Sequence, residues 1–251
     1  MPDSKNMIFD VIVVGVGSMG APACYQLAKR GVKVLGLEQG SLPSPLAAFA
    51  GATRVIRLSY TEHPDYVPLL RGAYKLWDEL GEATGREFLK RTGTVYLGPP
   101  EGYLVGGAKQ SAEEHGLKHT SYSSDELGER WPQFHLPEGF VGMHEEEGGY
   151  VYSEQSVAAY ADLALREGAE LRAHELLLSQ RVCLYHNTPD GHFIVDRHPE
   201  CDRAIMACGF SGHGFKFASV MGAVLADLAT EGKTDWPIGF LGLSRFSESR
   251  A

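Results

Sequence analysis

The stretch "DVIVVGVGSMG", residues 10–20, decides the fold of this chain. Residues 9–15 are rich in valine and isoleucine, which is typical of a strand buried on both faces of a parallel sheet. The glycines at 15, 17 and 20 follow with the spacing G-x-G-x-x-G, and a helix is predicted over 19–31. A second strand, predicted to end at Glu38, completes a βαβ unit.

The spacing of these glycines has a physical reason. Gly15 permits a tight turn, Gly17 lets a pyrophosphate approach the backbone, and Gly20 brings the helix against the strand. Unpaired N–H groups at the start of the helix attract such an anion. Glu38 stands 18 residues beyond Gly20, where it can accept hydrogen bonds from a ribose diol. The sequence therefore predicts an α/β, Rossmann-like dinucleotide-binding domain, with a purely structural glycine turn as the alternative.

A second glycine-rich turn lies near the other end of the chain, in "MACGFSGHGFKFAS", residues 206–219. It follows a strand predicted over 203–208 and starts a helix predicted over 214–231. Its N–H groups and the positive end of the helix can stabilise negative charge on a reduced flavin, and its glycines let the ring lie against the backbone. The first turn alone leaves NAD and FAD open, and the second turn favours FAD. A structural turn is again the alternative.

Composition excludes several classes of partner. The chain has 251 residues, a formal net charge of -9 and no dense cluster of lysine and arginine, so we expect no nucleic-acid partner. The apolar run near the N-terminus is too short to span a membrane, and Asp10 interrupts it, so we expect a cytoplasmic protein without a membrane anchor. The four cysteines are widely spaced, which predicts free thiols and no metal site.

Further elements are predicted along the chain from hydrophobic periodicity. Helices are predicted over 66–80, 101–117 and 155–168, and strands over 92–98, 169–175, 182–186 and 192–195. Residues 40–53 contain small residues and prolines, which predict a loop. The acidic run "HEEEGG", residues 144–149, is interpreted as a solvated loop.

Four blocks of sequence identify a family resemblance. The blocks are "DVIVVGVGSMG", "TRVIR" (53–57), "RVCLYHNTPDGHFIVDRHP" (181–199) and "GFSGHGFKFA" (209–218). They resemble the monomeric sarcosine oxidase and N-methyl-tryptophan oxidase family. The resemblance implies an FAD-dependent amine oxidoreductase whose partners are an amine resembling an amino acid, such as sarcosine, and oxygen. Its products are hydrogen peroxide and an imine, which hydrolyses to an aldehyde and a primary amine.

The resemblance also assigns roles to residues. Arg57 and Lys216 match the residues that hold the substrate carboxylate, Arg54 matches an arginine that supports flavin attachment, and Cys183 matches the cysteine tethered to the flavin. His213 lies in the flavin loop, where it either acts on a proton or stabilises the turn. The catalytic set is thus Lys216, Arg57 and Arg54. The predicted FAD-binding set is Gly15, Gly17, Ser18, Met19, Gly20, Glu38, Gln39, Thr53, Arg54, Cys183, Gly209, Gly212, His213, Gly214, Phe215 and Lys216.

The chain departs from this family in two places. Phe49 and Ala50 stand where the family carries a histidine-bearing loop. At the larger departure, residues 175–181, only a few residues bridge two blocks that the family separates by the sheet of its substrate domain. We therefore divide the chain into residues 1–174, the first part of the FAD-binding domain with a remnant of the substrate domain; a seam at 175–181; and residues 182–251, the second part.

The missing segment predicts impaired catalysis, because without it the flavin faces water and the substrate enters without orientation. The segment also carries the residues that would choose among amines, so the sequence leaves the substrate open. We expect the chain either to cover its exposed apolar surface by forming a homodimer or to be unstable without cofactor. Two alternative functions are a flavin-binding module without catalysis and, less favoured, an NAD-dependent dehydrogenase.

Overall fold

The computed structural model describes residues 8–44, 47–174 and 187–246. The strands are β1 (Val11–Val14), β2 (Val34–Leu37), β3 (Thr53–Ile56), β4 (Leu89–Arg91), β5 (Thr94–Gly98), β6 (His119–Tyr122), β7 (Val141–Glu145), β8 (Gly149–Tyr152), β9 (Glu170–Arg172), β10 (Ile194–His198) and β11 (Cys201–Cys208). The helices are α1 (Gly20–Lys29), α2 (Tyr66–Thr84), α3 (Tyr103–Glu114), α4 (Ser124–Arg130), α5 (Ser153–Arg166) and α6 (Ala218–Thr230).

A parallel sheet with strand order β1-β2-β9 forms the centre of the α/β fold, as the sequence predicts. Helix α1 connects β1 to β2 and packs against both α5 and α6. The α1–α6 contact is close, because a Cβ atom on Gly222 would lie 2.5 Å from Pro22. This packing fixes the start of α1 at the carboxyl edge of the sheet, where ligands bind in open α/β folds.

Strand β1 is not buried on both faces, and that prediction is wrong. Its side chains alternate between partly buried and exposed, with Ile12 57% and Val14 52% exposed. Helix α1 packs on one face, and the other face borders a cavity. Along its edge, β1 pairs only with β2 within the described part of the chain. An apolar run identifies the strand but does not reveal whether a second layer covers it.

Two antiparallel sheets, ordered β3-β8-β4 and β5-β7-β6, lie between the two parts of the parallel layer in sequence. Of their six strands, the sequence predicts only β5 clearly. The predicted helices over this region are confirmed with shifted ends, as in α2, which continues to Thr84 because Gly85 adopts the left-handed conformation that ends it. Strand β3 carries Arg54 and leads directly to Arg57.

The C-terminal part consists of the β10-β11 hairpin followed by α6. Strand β10 begins two residues later than predicted, because Asp190 accepts a hydrogen bond from the N–H group of His192 and extends the preceding turn. The helix predicted over 214–231 begins as a 3₁₀ turn, Phe215–Phe217, before α6. The strand predicted over 182–186 lies outside the described residues. Among the described helices, none is long and apolar enough to cross a membrane.

Candidate functional site

The first glycine turn joins β1 to α1 in the geometry that its spacing predicts. Gly15 has a φ of +92°, and its N–H group donates to the carbonyl of Leu37 at 2.8 Å. A Cβ atom on Gly20 would lie 1.9 Å from the carbonyl oxygen of Gly15, so only glycine fits there. Helix α1 starts without a side-chain cap. The N–H group of Ala21 donates to the carbonyl of Gly17 at 2.9 Å and Pro22 has no N–H group, so the N–H group of Gly20 is the one left at this end for an anion.

Glu38 lies just beyond the end of β2, beside this turn. One carboxylate oxygen accepts the N–H group of Val16 at 3.0 Å, and the other accepts that of Gly40 at 3.0 Å. Each oxygen keeps a second lone pair for a ribose hydroxyl. Glu38 lines the cavity next to β1, whereas the neighbouring Gln39 is exposed and is not part of the described cavity linings.

The second glycine turn joins β11 to the 3₁₀ turn before α6. Gly209 and Gly212 have φ values of +64° and +78°, which glycine adopts readily. A Cβ atom on Gly214 would lie 2.6 Å from Phe210. Gly212 is exposed, whereas Gly209 and Gly214 are buried.

Two adjoining cavities connect the turns. The first cavity, of about 930 Å³, extends from β1 and Glu38 to β11, and the second, of about 530 Å³, lies over the second glycine turn. Ser18, Met19, Ala48, Phe49 and Ala207 line both cavities. Volumes of about 300–1,000 Å³ are usual for ligand pockets. Together the cavities form an elongated site with one glycine turn on each part.

Lys216 is the buried cation of the second cavity. The residue is only 8% exposed, and its Nζ donates to the carbonyl of His213 at 3.0 Å. Nζ also lies 5.0 Å from the centre of the Tyr60 ring. Burial, and next the charge of Arg57, lower the pKa of Lys216 to about 8, while Glu62 opposes the shift. Lys216 therefore changes charge within the range in which an enzyme operates.

His213 has both ring nitrogens engaged. Nε2 lies 2.9 Å from the carbonyl oxygen of Gly191, and Nδ1 lies 2.5 Å from the hydroxyl of Tyr60. Because a carbonyl only accepts, Nε2 carries the proton and Nδ1 accepts from Tyr60. Burial lowers the pKa of His213, which favours this neutral form. Of its two predicted roles, the geometry supports stabilisation of the turn.

Arg57 lies beside the rings of Tyr60 and Tyr96, with its Cζ atom 5.6 and 5.4 Å from their centres. Its Nη2 donates to Thr61 at 3.1 Å and to the carboxylate of Glu62 at 3.3 Å. Its Nε is buried and has no hydrogen-bond partner among the described residues. Arg57 thus has one donor satisfied within the protein and an adjacent one that is not.

Arg54 organises the loop that precedes β3. It donates to the carbonyl groups of Thr53 at 2.8 Å and Ala50 at 2.6 Å. The same loop is held from α5 by Glu154, which accepts the N–H group of Gly51 at 2.8 Å. Arg54 also lines the second cavity. Arg54 therefore holds a loop that forms part of the cavity wall.

Most of the predicted residues meet at these cavities. The residues that line them are Gly15, Gly17, Ser18, Met19, Gly20, Glu38, Arg54, Gly209, Gly212, His213, Gly214, Phe215 and Lys216. Thr53 contributes its carbonyl group to Arg54, and Arg57 and Lys216 both lie near the Tyr60 ring. Cys183 lies outside the described residues.

Two residues near the site are not singled out by the sequence. Glu145 is 1% exposed, so the solvated-loop interpretation of residues 144–149 is wrong at this position, although it holds for Glu146 and Glu147. Glu145 accepts the N–H groups of Leu58 and Ser59, immediately after Arg57. Glu62 is the second residue. Hydrophobic periodicity does not single out one carboxylate in a charged or loop segment, so the sequence gives no signal for either residue.

The described residues fit the FAD that the sequence predicts. An uncapped helix start and a carboxylate with free lone pairs lie in one part of an elongated site, and a second glycine turn lines the other part. A Cβ atom on Gly17 would lie 3.3 Å from the Phe49 ring, so this glycine keeps the turn open beside that ring. No group of metal-ligating side chains is found within the described ranges.

Comparison with known proteins gives the same class. The chain is 27% identical to monomeric sarcosine oxidase of Streptomyces avermitilis over 380 aligned positions, covering 97% of this chain and 99% of that protein. It is 24% identical to N-methyl-L-tryptophan oxidase of Salmonella arizonae, covering 96% of this chain and all of that protein. L-proline dehydrogenase from P. horikoshii shares the fold, with a TM-score of 0.81, 17% identity, and coverage of 95% and 97% of the two chains. The resemblance stated from the sequence is confirmed.

The alignments also compare the length of this chain with that of a relative. The 380 positions aligned with the Streptomyces protein exceed the 251 residues of this chain by 129, so at least that many have no counterpart here. A sequence profile described as FAD dependent oxidoreductase matches residues 10–181 and again 175–228. The two matches meet at residues 175–181. Because they span most of the sequence, the chain belongs to the FAD dependent oxidoreductase family.

Proposed function

We propose that the chain binds FAD along the two adjoining cavities and oxidises the C–N bond of a secondary amine that carries a carboxylate, such as sarcosine or another N-methyl amino acid. Oxygen is the final electron acceptor and hydrogen peroxide a product, and the imine hydrolyses to an aldehyde and a primary amine. The observation that carries the proposal is the meeting of two distant glycine turns at cavities that share Ser18 and Met19. An NAD site needs only the first turn.

When bound, FAD supplies the two-electron acceptor of the reaction. The N–H group of Gly20 and the positive end of α1 face the pyrophosphate in this proposal, and Glu38 accepts hydrogen bonds from the ribose. The second glycine turn and the 3₁₀ turn that follows it present a positive backbone end to the ring system.

Arg57 and Lys216 hold the substrate carboxylate in this proposal. The two cations lie 5.6 and 5.0 Å from the centre of the Tyr60 ring, so both contact one aromatic side chain. A guanidinium binds a carboxylate through two parallel N–H groups, whereas an ammonium contributes a point charge. The amine would thereby be oriented by its acid group.

We further propose a thioether between Cys183 and the flavin, with Arg54 supporting attachment by holding the loop at 48–53. The resemblance of the segment 181–199 to the family supports this link. A thiolate is the reactive form of such a cysteine. Phe49 and Ala50, which replace the family's histidine-bearing loop, set the attachment chemistry of this chain apart from that of its relatives.

Turnover should be slower than in complete relatives. At least 129 positions of the Streptomyces protein have no counterpart in this chain, and Val55, which lines the second cavity, is 56% exposed. Water in an open site weakens ion pairs and leaves the substrate poorly oriented. This observation favours a second candidate function, a flavin-binding module that oxidises no amine.

An absorption spectrum of the purified protein tests flavin binding, and acid precipitation tests attachment. We expect a yellow protein whose colour stays in the acid pellet, and Cys183→Ala should release the flavin into the supernatant. Cys201→Ala is the matched control, since Cys201 is exposed and lies outside both cavities. A colourless protein that takes up no added FAD would refute the proposal, and colour retained in the Cys183→Ala pellet would refute this tether.

Anaerobic addition of sarcosine separates the two candidate functions. Bleaching of the flavin band, followed by peroxide formation on admission of air, supports an oxidase. An unchanged spectrum with sarcosine and with N-methyl-tryptophan supports the binding module. Arg57→Met should abolish any bleaching while leaving the flavin bound, because Arg57 lies outside the residues that line the two cavities.

A further inference from the structure

Glu62 provides an internal carboxylate for Arg57. The two side chains approach to 3.3 Å through Nη2 of Arg57, and both are largely buried, with 17% and 21% of their side-chain surfaces exposed. Thr61 closes the group: it accepts from Arg57 at 3.1 Å and donates to Glu62 at 2.9 Å. The arginine proposed to bind a substrate carboxylate therefore already binds one.

The guanidinium is only half used along the edge that suits a carboxylate. The N–H group of Nε and one N–H group of Nη2 point in parallel, and a carboxylate can bind this pair side-on. The two N–H groups of Nη2 serve Thr61 and Glu62, whereas Nε is buried and has no partner within the described part of the chain. A buried N–H group left unpaired is costly and indicates a missing acceptor.

The surrounding charges keep Glu62 ionised. Burial raises its pKa, but Arg57 lowers it, as do the hydrogen bond from Thr61 and the charges of Lys216 and His213, and the net pKa lies below the usual value. The charge of Glu62 in turn partly offsets the lowering of the Lys216 pKa. The carboxylate of Glu62 thus interacts with both cations of the proposed substrate site.

We propose that Glu62 is a specificity-determining residue that competes with the substrate carboxylate for Arg57. A ligand carboxylate takes Nε and Nη2 together, and Glu62 must give up Nη2 for this to happen. The inference rests on the proposed function and adds an exchange of anions to it. Ligands without a carboxylate cannot make the exchange, because Glu62 keeps the arginine.

The test uses propionate as the probe and propionamide as its neutral counterpart, with binding to the purified protein measured by calorimetry. Glu62→Gln removes the competing charge and nearly keeps the shape. We expect it to bind propionate on the order of tenfold more tightly than the native protein, the factor that about 1.4 kcal/mol represents. Propionamide binding should be unchanged. The matched control is Glu129→Gln, which removes the same charge from an exposed position outside the site.

Two further variants make the result decisive. Adding Arg57→Met to Glu62→Gln should abolish the gain, because the gain requires the guanidinium. If Glu62→Gln fails to fold, Glu62→Asp draws the carboxylate back by one methylene and should change propionate binding in the same direction. Equal or weaker propionate binding in the folded Glu62 variant, or a gain that survives Arg57→Met, would overturn the inference.

The readout is independent of catalysis. A protein that oxidises no amine, yet gains propionate affinity on Glu62→Gln, would contradict the proposed function and leave the anion exchange standing. A protein that bleaches with sarcosine and shows no gain would do the reverse.

Discussion

Replacing Glu145 with glutamine tests whether one buried carboxylate holds the segment that carries Arg57. The Glu145 side chain accepts hydrogen bonds from the N–H of Leu58 at 2.7 Å and the N–H of Ser59 at 2.8 Å, and the hydroxyl of Tyr96 shares its one proton between Glu145 at 3.0 Å and the carbonyl of Ser59 at 2.7 Å. A glutamine oxygen can serve Ser59 and Tyr96, but its NH₂ group would then face the N–H of Leu58. Two donors would meet in a site that is 1% exposed.

The magnitude follows from this geometry. A hydrogen bond to a charged group contributes about 1.5–3 kcal/mol, and a buried donor without a partner costs about 1–3 kcal/mol. The two effects overlap, since both describe the Leu58 N–H group, so we expect Glu145→Gln to lose about 3 kcal/mol of unfolding free energy. A loss of this size is well above the usual effect of a surface substitution.

Urea unfolding followed by far-ultraviolet circular dichroism measures the change. Glu146→Gln is the matched control, because Glu146 is the next residue, is exposed and forms its ion pair with Lys118, at 2.7 Å, on the surface. We expect its urea midpoint to equal that of the native protein. Equal midpoints for Glu145→Gln and the native protein would show that the Leu58–Ser59 segment is held by other contacts, and the reasoning would be refuted.

Two further predictions concern the proposed cofactor and substrate sites. Gly20→Ala should weaken FAD binding and destabilise the protein by about 2 kcal/mol, as overpacking does, because its methyl group would lie 1.9 Å from the Gly15 oxygen; Gly239→Ala, with no atom within 4 Å of its Cβ position, should do neither. Flavin fluorescence titration would measure the first effect, and a native-like affinity in Gly20→Ala would contradict it. Propionate binding should weaken as pH rises through about 8, because the lowered pKa of Lys216 makes it lose its proton there rather than near 10.5. Lys216→Arg stays charged throughout and should give a flat profile by calorimetry, whereas identical profiles for both proteins would exclude Lys216 as the titrating group.

The predictable part of the structure is the part controlled by local pattern. The βαβ unit follows from β-branched runs, glycine spacing and a helix bounded by glycine, and each of these signals is contained within a few residues. The second glycine turn is equally local. Their meeting at one site is not a local property, because β11, which leads into the second turn, pairs with β10 and not with the parallel sheet within the described residues.

The remaining features depend on contacts between distant residues. Glu145 lies 87 positions from Leu58 and is buried only because β7 brings it there, so its sequence neighbours in an acidic run suggest a surface position. The short strands β3, β4 and β8 pair with one another across long separations, and three or four residues give no reliable alternation. Whether the outer face of β1 is covered depends on a second layer of secondary structure, and an apolar run of sequence does not show whether that layer is present.

That face of β1 has a practical consequence for anyone who handles the protein. Aliphatic side chains next to backbone groups left unpaired within the described residues form a template to which strands of other molecules can add. We therefore expect aggregation at high concentration to depend more on this edge of the sheet than on the net charge of the surface.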